Sequence, residues 1–280
     1  MEYLVNENML EQFRQELANE EKSKVTIEKY VHDVSAFFFY LGEKAMVTKE
    51  TVIAYKEYLV EHYALRSVNS MLAALNCFFK KVGWYDCIVK SLKIQKEAFR
   101  MPEKELTKEE YYKLLETAEK RGNLRLNLLM QTICGTGIRI SELKYLTVEA
   151  VKKGRMQVRC KGKNRVVLLP VKLCGKLKQY IRENDIKSGS VFITRSGKPM
   201  DRSNICKEMK SLCEEAGISR EKVFPHNLRH LFACTYYQLK KDISHLADLL
   251  GHSNINTTRI YTLTTGEEEV KQMEVMVLVF

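Results

Sequence analysis

The sequence predicts a mainly α-helical chain of two domains, with one small β-sheet confined to the C-terminal domain. Three observations carry that expectation. Apolar residues recur at helical spacing through the first hundred positions. The periodicity lapses over residues 90–105 while charge stays high. A single short stretch, residues 156–169, alternates with period two around a glycine. With 280 residues, 45% hydrophobic and 29% charged, the chain can supply two ordinary domains with a core each.

Along the N-terminal part, Leu10, Phe13 and Leu17 mark one helix, and Val25, Tyr30, Val34, Phe37, Phe38 and Leu41 mark a second. Gly42 and the start signal Thr48-Lys49-Glu50 separate that pair from a third helix over 52–63. A fourth runs from about Ser67 through Met71, Leu72, Leu75, Phe78 and Phe79, ending near Gly83. The run Phe37-Phe38-Phe39 reads as core packing. These helices make a domain of residues 1–92, and Pro102 helps mark 93–105 as the linker. A second domain is expected over 106–266, opening on Thr107 as N-cap with Glu110 three positions on, a capping box. Met156-Gln157-Val158-Arg159 and Val166-Val167-Leu168-Leu169 form a β-hairpin turning at Gly162-Lys163-Asn164. From Val171 to Tyr261 the chain reads as mainly helical, broken at Gly217, Pro225 and Gly251.

Net charge is +11, and the excess is clustered. Residues 152–178 hold ten Lys or Arg and no Asp or Glu. Such a surface attracts polyanions with a steep dependence on salt. The eight cysteines form no CxxC pair and have no histidines at zinc-finger spacing, so neither a metal site nor a disulfide framework is indicated. Without a signal-peptide pattern or an apolar run of spanning length, a cytoplasmic protein with no membrane partner is expected.

The chemistry-bearing residues gather late in the chain. His226 and Arg229 are three apart and share a helix face, as do Arg139 and Glu142 after Gly135-Thr136-Gly137. An arginine fork gives two parallel charge-assisted hydrogen bonds to phosphate oxygens. Two forks from different segments could therefore hold a pentavalent phosphorane, with Glu142 orienting Arg139. Imidazoles at His226, His230 and His252 and a phenol at Tyr261 complete a set suited to phosphodiester attack without a metal.

Thr136-Gly137-Ile138-Arg139-Ile140-Ser141-Glu142-Leu143, His226-Asn227-Leu228-Arg229-His230, Leu249-Leu250-Gly251-His252 and Thr257-Thr258-Arg259-Ile260-Tyr261 together resemble the tyrosine recombinase (phage integrase) family in order and spacing. The N-terminal helices resemble its SAM-like core-binding domain, through Thr26, Tyr30, Asp33 and Phe37 and through Asn69, Leu72, Leu75 and Phe78. The resemblance implies a helical core-binding domain followed by an α+β catalytic domain, of the compact Xer-like kind without an added arm-binding domain. It implies Tyr261 as nucleophile, Arg139 and Arg229 as phosphate clamps, His226 as general base and His252 as donor to a non-bridging oxygen. Glu142 and His230 support them. A hairpin lysine protonates the leaving 5′-oxygen. Lys161 matches that position best, and Lys163 competes because the turn reads one residue short of the family pattern. Lys163 and Arg165 are also expected on DNA. No metal or cofactor is called for.

The implied partners are double-stranded DNA at specific sites and further copies of the chain, four on paired sites. A second recombinase or an accessory DNA-bending protein is compatible with this scheme. The apolar ending of the 267–280 tail is expected to pack on a neighbouring protomer. The expected activity is site-specific recombination through a 3′-phosphotyrosyl intermediate and a Holliday junction, for integration, excision, inversion or dimer resolution. A type IB topoisomerase-like nicking enzyme and a catalytically silent DNA-binding regulator are the alternatives.

Overall fold

The computed structural model describes residues 1–6, 8–42, 46–95, 102–160, 163–194, 196–264 and 266–276. The chain divides after Lys96 into two compact units.

The first unit is built on four helices, α1 (Asn8–Asn19), α2 (Lys24–Leu41), α3 (Lys49–His62) and α4 (Leu65–Lys81). Ser23 caps α2 by accepting from the Thr26 amide, and Thr48 caps α3 in a capping box closed by Thr51. Their apolar stripes meet in an aromatic core, with Phe37 edge-on to Phe79 at 6.0 Å and Phe13 edge-on to Phe78 at 5.4 Å. Adjacent helix positions point about 100° apart. So the Phe37-Phe38-Phe39 run is split: Phe37 is fully buried, Phe38 packs at the edge of the core, and Phe39 stands in solvent. After α4, residues 89–92 are laid back along it by two asparagines one heptad apart. Asn76 exchanges both amide hydrogen bonds with Val89, and Asn69 does the same with Leu92. A two-stranded sheet of β1 (Tyr3–Leu4) and β2 (Met46–Val47) was not expected from the sequence. Two residues per strand leave no alternation to read.

The second unit is organised round α6 (Leu124–Thr136), which buries Leu126, Leu128, Leu129, Met130 and Ile133. A helix apolar nearly all round belongs inside a core. It packs against α5 (Lys108–Lys120), α8 (Val171–Glu183) and α11 (Pro225–Lys240). The capping box of α5 is made in full: Thr107 Oγ1 accepts from the Glu110 amide at 3.1 Å, and Glu110 Oε2 from the Thr107 amide at 2.9 Å. A short helix α7 (Val148–Lys153) leads into β3 (Arg155–Cys160) and β4 (Lys163–Leu168), an antiparallel hairpin paired from Arg155↔Leu168 to Cys160↔Lys163. Lys163 and Asn164 therefore belong to a strand, not to the turn. Pairing continues two residues beyond the last apolar alternation because backbone hydrogen bonds, unlike burial, do not need it. The stretch before α9 (Arg202–Lys210) is also less helical than expected. Isolated bridges Thr147↔Ser190 and Ile193↔Pro199 are formed there instead. The short α10 (Cys213–Ala216), then α11, α12 (Ile243–Leu250) and α13 (Gly266–Val275) complete the unit. Among the described residues, no helix is long and apolar enough to cross a membrane, and no cluster of metal-ligating side chains occurs.

Candidate active site

Arg139 is placed by the end of α6. Gly137 takes the left-handed conformation at φ 65° as the helix C-cap, and a Cβ there would lie 2.4 Å from Phe232 Cδ1. Only glycine satisfies both constraints. The chain leaves this turn extended at Arg139 and enters a 3-10 helix, Ile140–Tyr145. Glu142, on that turn, is 1% exposed. Its Oε2 accepts from the Arg139 amide at 2.8 Å and its Oε1 from Arg139 Nη1 at 3.0 Å. Arg139 Nη2 reaches the Gly251 carbonyl at 3.3 Å, and the side chain stays 36% exposed. Glu142 thus orients a guanidinium that still faces outward.

Arg229 sits one turn into α11, whose first position is Pro225. It is 2% exposed. Nη1 donates to the Gly137 carbonyl at 2.6 Å; Nη2 donates to the Leu250 carbonyl at 2.8 Å and to His252 Nε2 at 2.9 Å. A guanidinium can only donate, so Nε2 of His252 accepts and Nδ1 carries the proton. Nδ1 then donates to Thr258 Oγ1 at 2.8 Å. His252 follows Gly251, the left-handed C-cap of α12. Tyr261 lies on the 3-10 turn Arg259–Tyr261 and is 3% exposed. Its ring stands between His230, with centroids 5.1 Å apart, and His252, at 6.3 Å, with the Arg229 cation beside its phenol.

An open cleft of about 660 Å³ is lined among others by Arg139, Lys144, Arg202, His226 and Arg229, with Asp201 as its carboxylate, and His252 adjoins it through its contact with Arg229. Arg139, His226, Arg229, His252 and Tyr261, drawn from four separate segments, are thus brought together. Lys161 lies outside the described residues, and Lys163 is placed only as the strand partner of Cys160. Arg165, expected on DNA, has its Nη2 on Glu142 and its Nη1 on the Leu249 carbonyl. Thr258, Lys144 and Arg202 are further site residues that the sequence reading passed over. Thr258 stands inside the quoted Tyr261 motif, three positions before the phenol, where a turn brings it back to the same site.

The phage integrase family profile matches residues 104–268, and the profile of the phage integrase N-terminal SAM-like domain matches residues 9–84. The chain belongs to the phage integrase family. Curated relatives of this tyrosine recombinase include "Tyrosine recombinase XerA" of Pyrococcus furiosus, 32% identical with 98% of this chain and 95% of the relative covered. The XerA of Pyrococcus horikoshii is also 32% identical, covering 94% and 92%. Among solved structures, XerH bound to difH in a pre-cleavage complex aligns with a TM-score of 0.70 at 22% identity over 95% of this chain and 84% of that one. A lambda integrase tetramer on a Holliday junction aligns at 0.71 and 17% identity over 91% and 76%. At these identities the structural likenesses speak for the fold.

Electrostatics in the recombinase site follow from packing cations together. Burial, then Arg229 and Arg139, holds His252 down at about 4, so the ring is neutral at pH 7. His226 is lowered by the same causes, in order burial, Arg229, His230 and Arg139, although its surface area is largely in solvent. A neutral imidazole is what a general base requires. Burial and the neighbouring Arg139 pull Arg229 down to about 10, which leaves it a cation. Burial raises Tyr261 above the ordinary phenol, against the lowering pull of Arg229. His230 moves the other way. Burial opposes its charge, but hydrogen bonding with Cys234 and pairing with Glu105 outweigh it and raise the ring to about 9. Its Nε2 is 3.0 Å from Glu105 Oε1, an ion pair whose angles fall short of a directed hydrogen bond.

Proposed function

We propose that this tyrosine recombinase breaks and rejoins DNA at specific sites through Tyr261, with Arg139 and Arg229 clamping the scissile phosphate. The observation that carries this reading is the convergence of two guanidiniums and one imidazole on a single cationic cleft, with a second imidazole on Arg229 and the Tyr261 phenol stacked beside it. The phenolic oxygen attacks phosphorus and gives its proton to His226. The P–O5′ bond breaks, leaving a 3′-phosphotyrosyl link and a 5′-oxygen that takes a proton from the hairpin lysine, Lys161 or Lys163. Phosphodiester energy is retained in the protein–DNA link, so attack by a 5′-hydroxyl on that link reverses the step. Exchange between two sites then passes through a Holliday junction.

Before DNA binds, Arg229 is engaged by protein acceptors and Tyr261 is buried. A bound phosphate replaces the carbonyl partners of Arg229, and the phenol swings out to reach it. His252 in this state orients Arg229, and donates to a phosphate oxygen once Nε2 has taken up a proton. Double-stranded DNA is the substrate, engaged by the basic stretch 152–178. Residues 1–92 serve as the core-binding domain, 93–105 as linker, 106–266 as catalytic domain and 267–280 as a tail seated on a neighbouring protomer in a tetramer. Helix α13 supports the tail assignment by leaving Val270, Met273, Val275 and Met276 exposed. Deleting residues 270–280 is expected to leave single-site binding intact and abolish pairing of two sites in a gel-shift assay. A nicked suicide duplex carrying the site, found by footprinting DNA that flanks the coding sequence, should trap a covalent adduct. Recombinant product from a two-site plasmid separates recombination from topoisomerase-like relaxation.

A further inference from the structure

Strand β4 sends one arginine into the protein. Arg165 pairs in the hairpin with Val158, yet its side chain is 15% exposed and both of its terminal nitrogens are engaged, while Nε is buried without a hydrogen-bond partner. Nη2 meets Glu142 Oε2 at 2.5 Å, and Nη1 donates to the Leu249 carbonyl at 2.5 Å. The arm lies flat against Gly251, where a Cβ would come within 2.6 Å of Arg165 Cδ and 2.8 Å of Nε. Gly251 is therefore fixed twice, by its φ of 65° and by the arginine stacked on it.

One side chain thus joins three segments that are far apart in sequence: the hairpin, the turn carrying Arg139 and Glu142, and the turn that sets His252. Glu142 is the centre of the knot, with Arg139 on Oε1 and Arg165 on Oε2. A carboxylate this buried is stable only while its charge is matched. Two guanidiniums and one backbone amide match it. We propose that Arg165 is a positioning residue that locks strand β4, Arg139 and the His252 turn into one frame. The hairpin and the phosphate clamp then meet DNA as a unit, and the residue contributes to cleavage without touching the phosphate. The inference rests on the catalytic reading above.

Lysine preserves the charge but not the planar fork that reaches two separate acceptors, so Arg165→Lys isolates geometry from electrostatics. Two quantities are measured for wild type and variant: affinity for site DNA as a function of salt, and the rate of adduct formation on a nicked suicide duplex at saturating protein. The expected result for Arg165→Lys is affinity within about threefold and an unchanged salt slope, with cleavage slower by about 100-fold, the scale of a 1 Å misplacement. Adding Glu142→Gln should cost less than the product of the two single effects, because the changes share one contact, although it also removes the carboxylate that holds Arg139. Arg165→Gln gives the same split between binding and rate if the lysine variant loses its fold, as judged by circular dichroism. A wild-type cleavage rate at saturation would overturn the inference. So would weaker binding with a shallower salt slope and an unaltered rate, which is the signature of a phosphate contact. No adduct from the wild-type protein would remove the catalytic reading itself, whereas equal rates from wild type and variant remove only the role of Arg165.

Discussion

The two clamp arginines stand on the same cleft and are held in opposite ways. Arg139 keeps 36% of its side chain exposed and leans on a buried carboxylate, so its charge is oriented and still available. Arg229 is 2% exposed and spends its donors on two carbonyls and an imidazole, beside the buried Tyr261 phenol. The Arg139 side is ready for an incoming phosphate. The Arg229 side is ready to hold the nucleophile until one arrives. A DNA-cleaving protein gains from that asymmetry, because a phenol buried against a cation-bearing site cannot react with whatever passes.

The sharpest way to break the comparison is to neutralise each arginine in turn. Arg229→Gln and Arg139→Gln should each slow cleavage by at least about 10²–10³-fold, the usual loss for a group that stabilises transition-state charge. Stability should separate them. Arg229→Gln strips buried carbonyls of their donor and is expected to cost about 3 kcal/mol, whereas Arg139→Gln, at a half-exposed position, should cost about 1 kcal/mol. Urea denaturation checks both. Equal destabilisation would show that the Arg229 side is not the sealed half.

A second test uses the protons around Tyr261. The His230 ring titrates at about 9 when folded, above its ordinary 6.5. The contacts of the charged ring with Cys234 and Glu105 therefore contribute fully below pH 6.5 and are lost as pH rises through 9, together up to about 3 kcal/mol. His252 has the opposite sign. Its folded value near 4 means that stability falls as pH drops from 6.5 towards 4, because the unfolded ring takes up a proton first. Unfolding free energy should thus peak near pH 6.5, and Glu105→Gln should flatten only the alkaline limb. A smaller change, Thr258→Val, removes the acceptor of the His252 Nδ1 proton. It should cost about 1 kcal/mol and reduce cleavage about tenfold, with DNA affinity unchanged in a salt titration.

What was legible in the sequence was mostly local. The Thr107–Glu110 capping box, the break at Gly251 that ends α12 and the three-residue spacing of His226 and Arg229 each act within one turn, so pattern and structure coincide. The order of four motifs then located the cleft, because it carried information that no single residue held. The inward turn of Arg165 could not be read, since its partners Glu142 and Leu249 belong to other segments and a basic strand residue looks the same facing DNA or facing a carboxylate. Glu105 was hidden for the same reason: it stood in a stretch read as linker, and only folding sets it against His230. The β1–β2 pair was too short for any alternation, and Lys163 joined a strand through backbone pairing alone.

The central claim, that Tyr261 is the nucleophile released from the sealed half of the site, is tested most directly by identifying the protein–DNA bond. The adduct trapped on a nicked suicide duplex is digested with protease and nuclease, and the linked peptide is sequenced by mass spectrometry. The account predicts a 3′-phosphate joined to the Tyr261 side chain, a free 5′-hydroxyl on the other end, and no adduct from Tyr261→Phe. A link through Tyr236 or Tyr237, or a 5′-phosphotyrosyl bond, would contradict it.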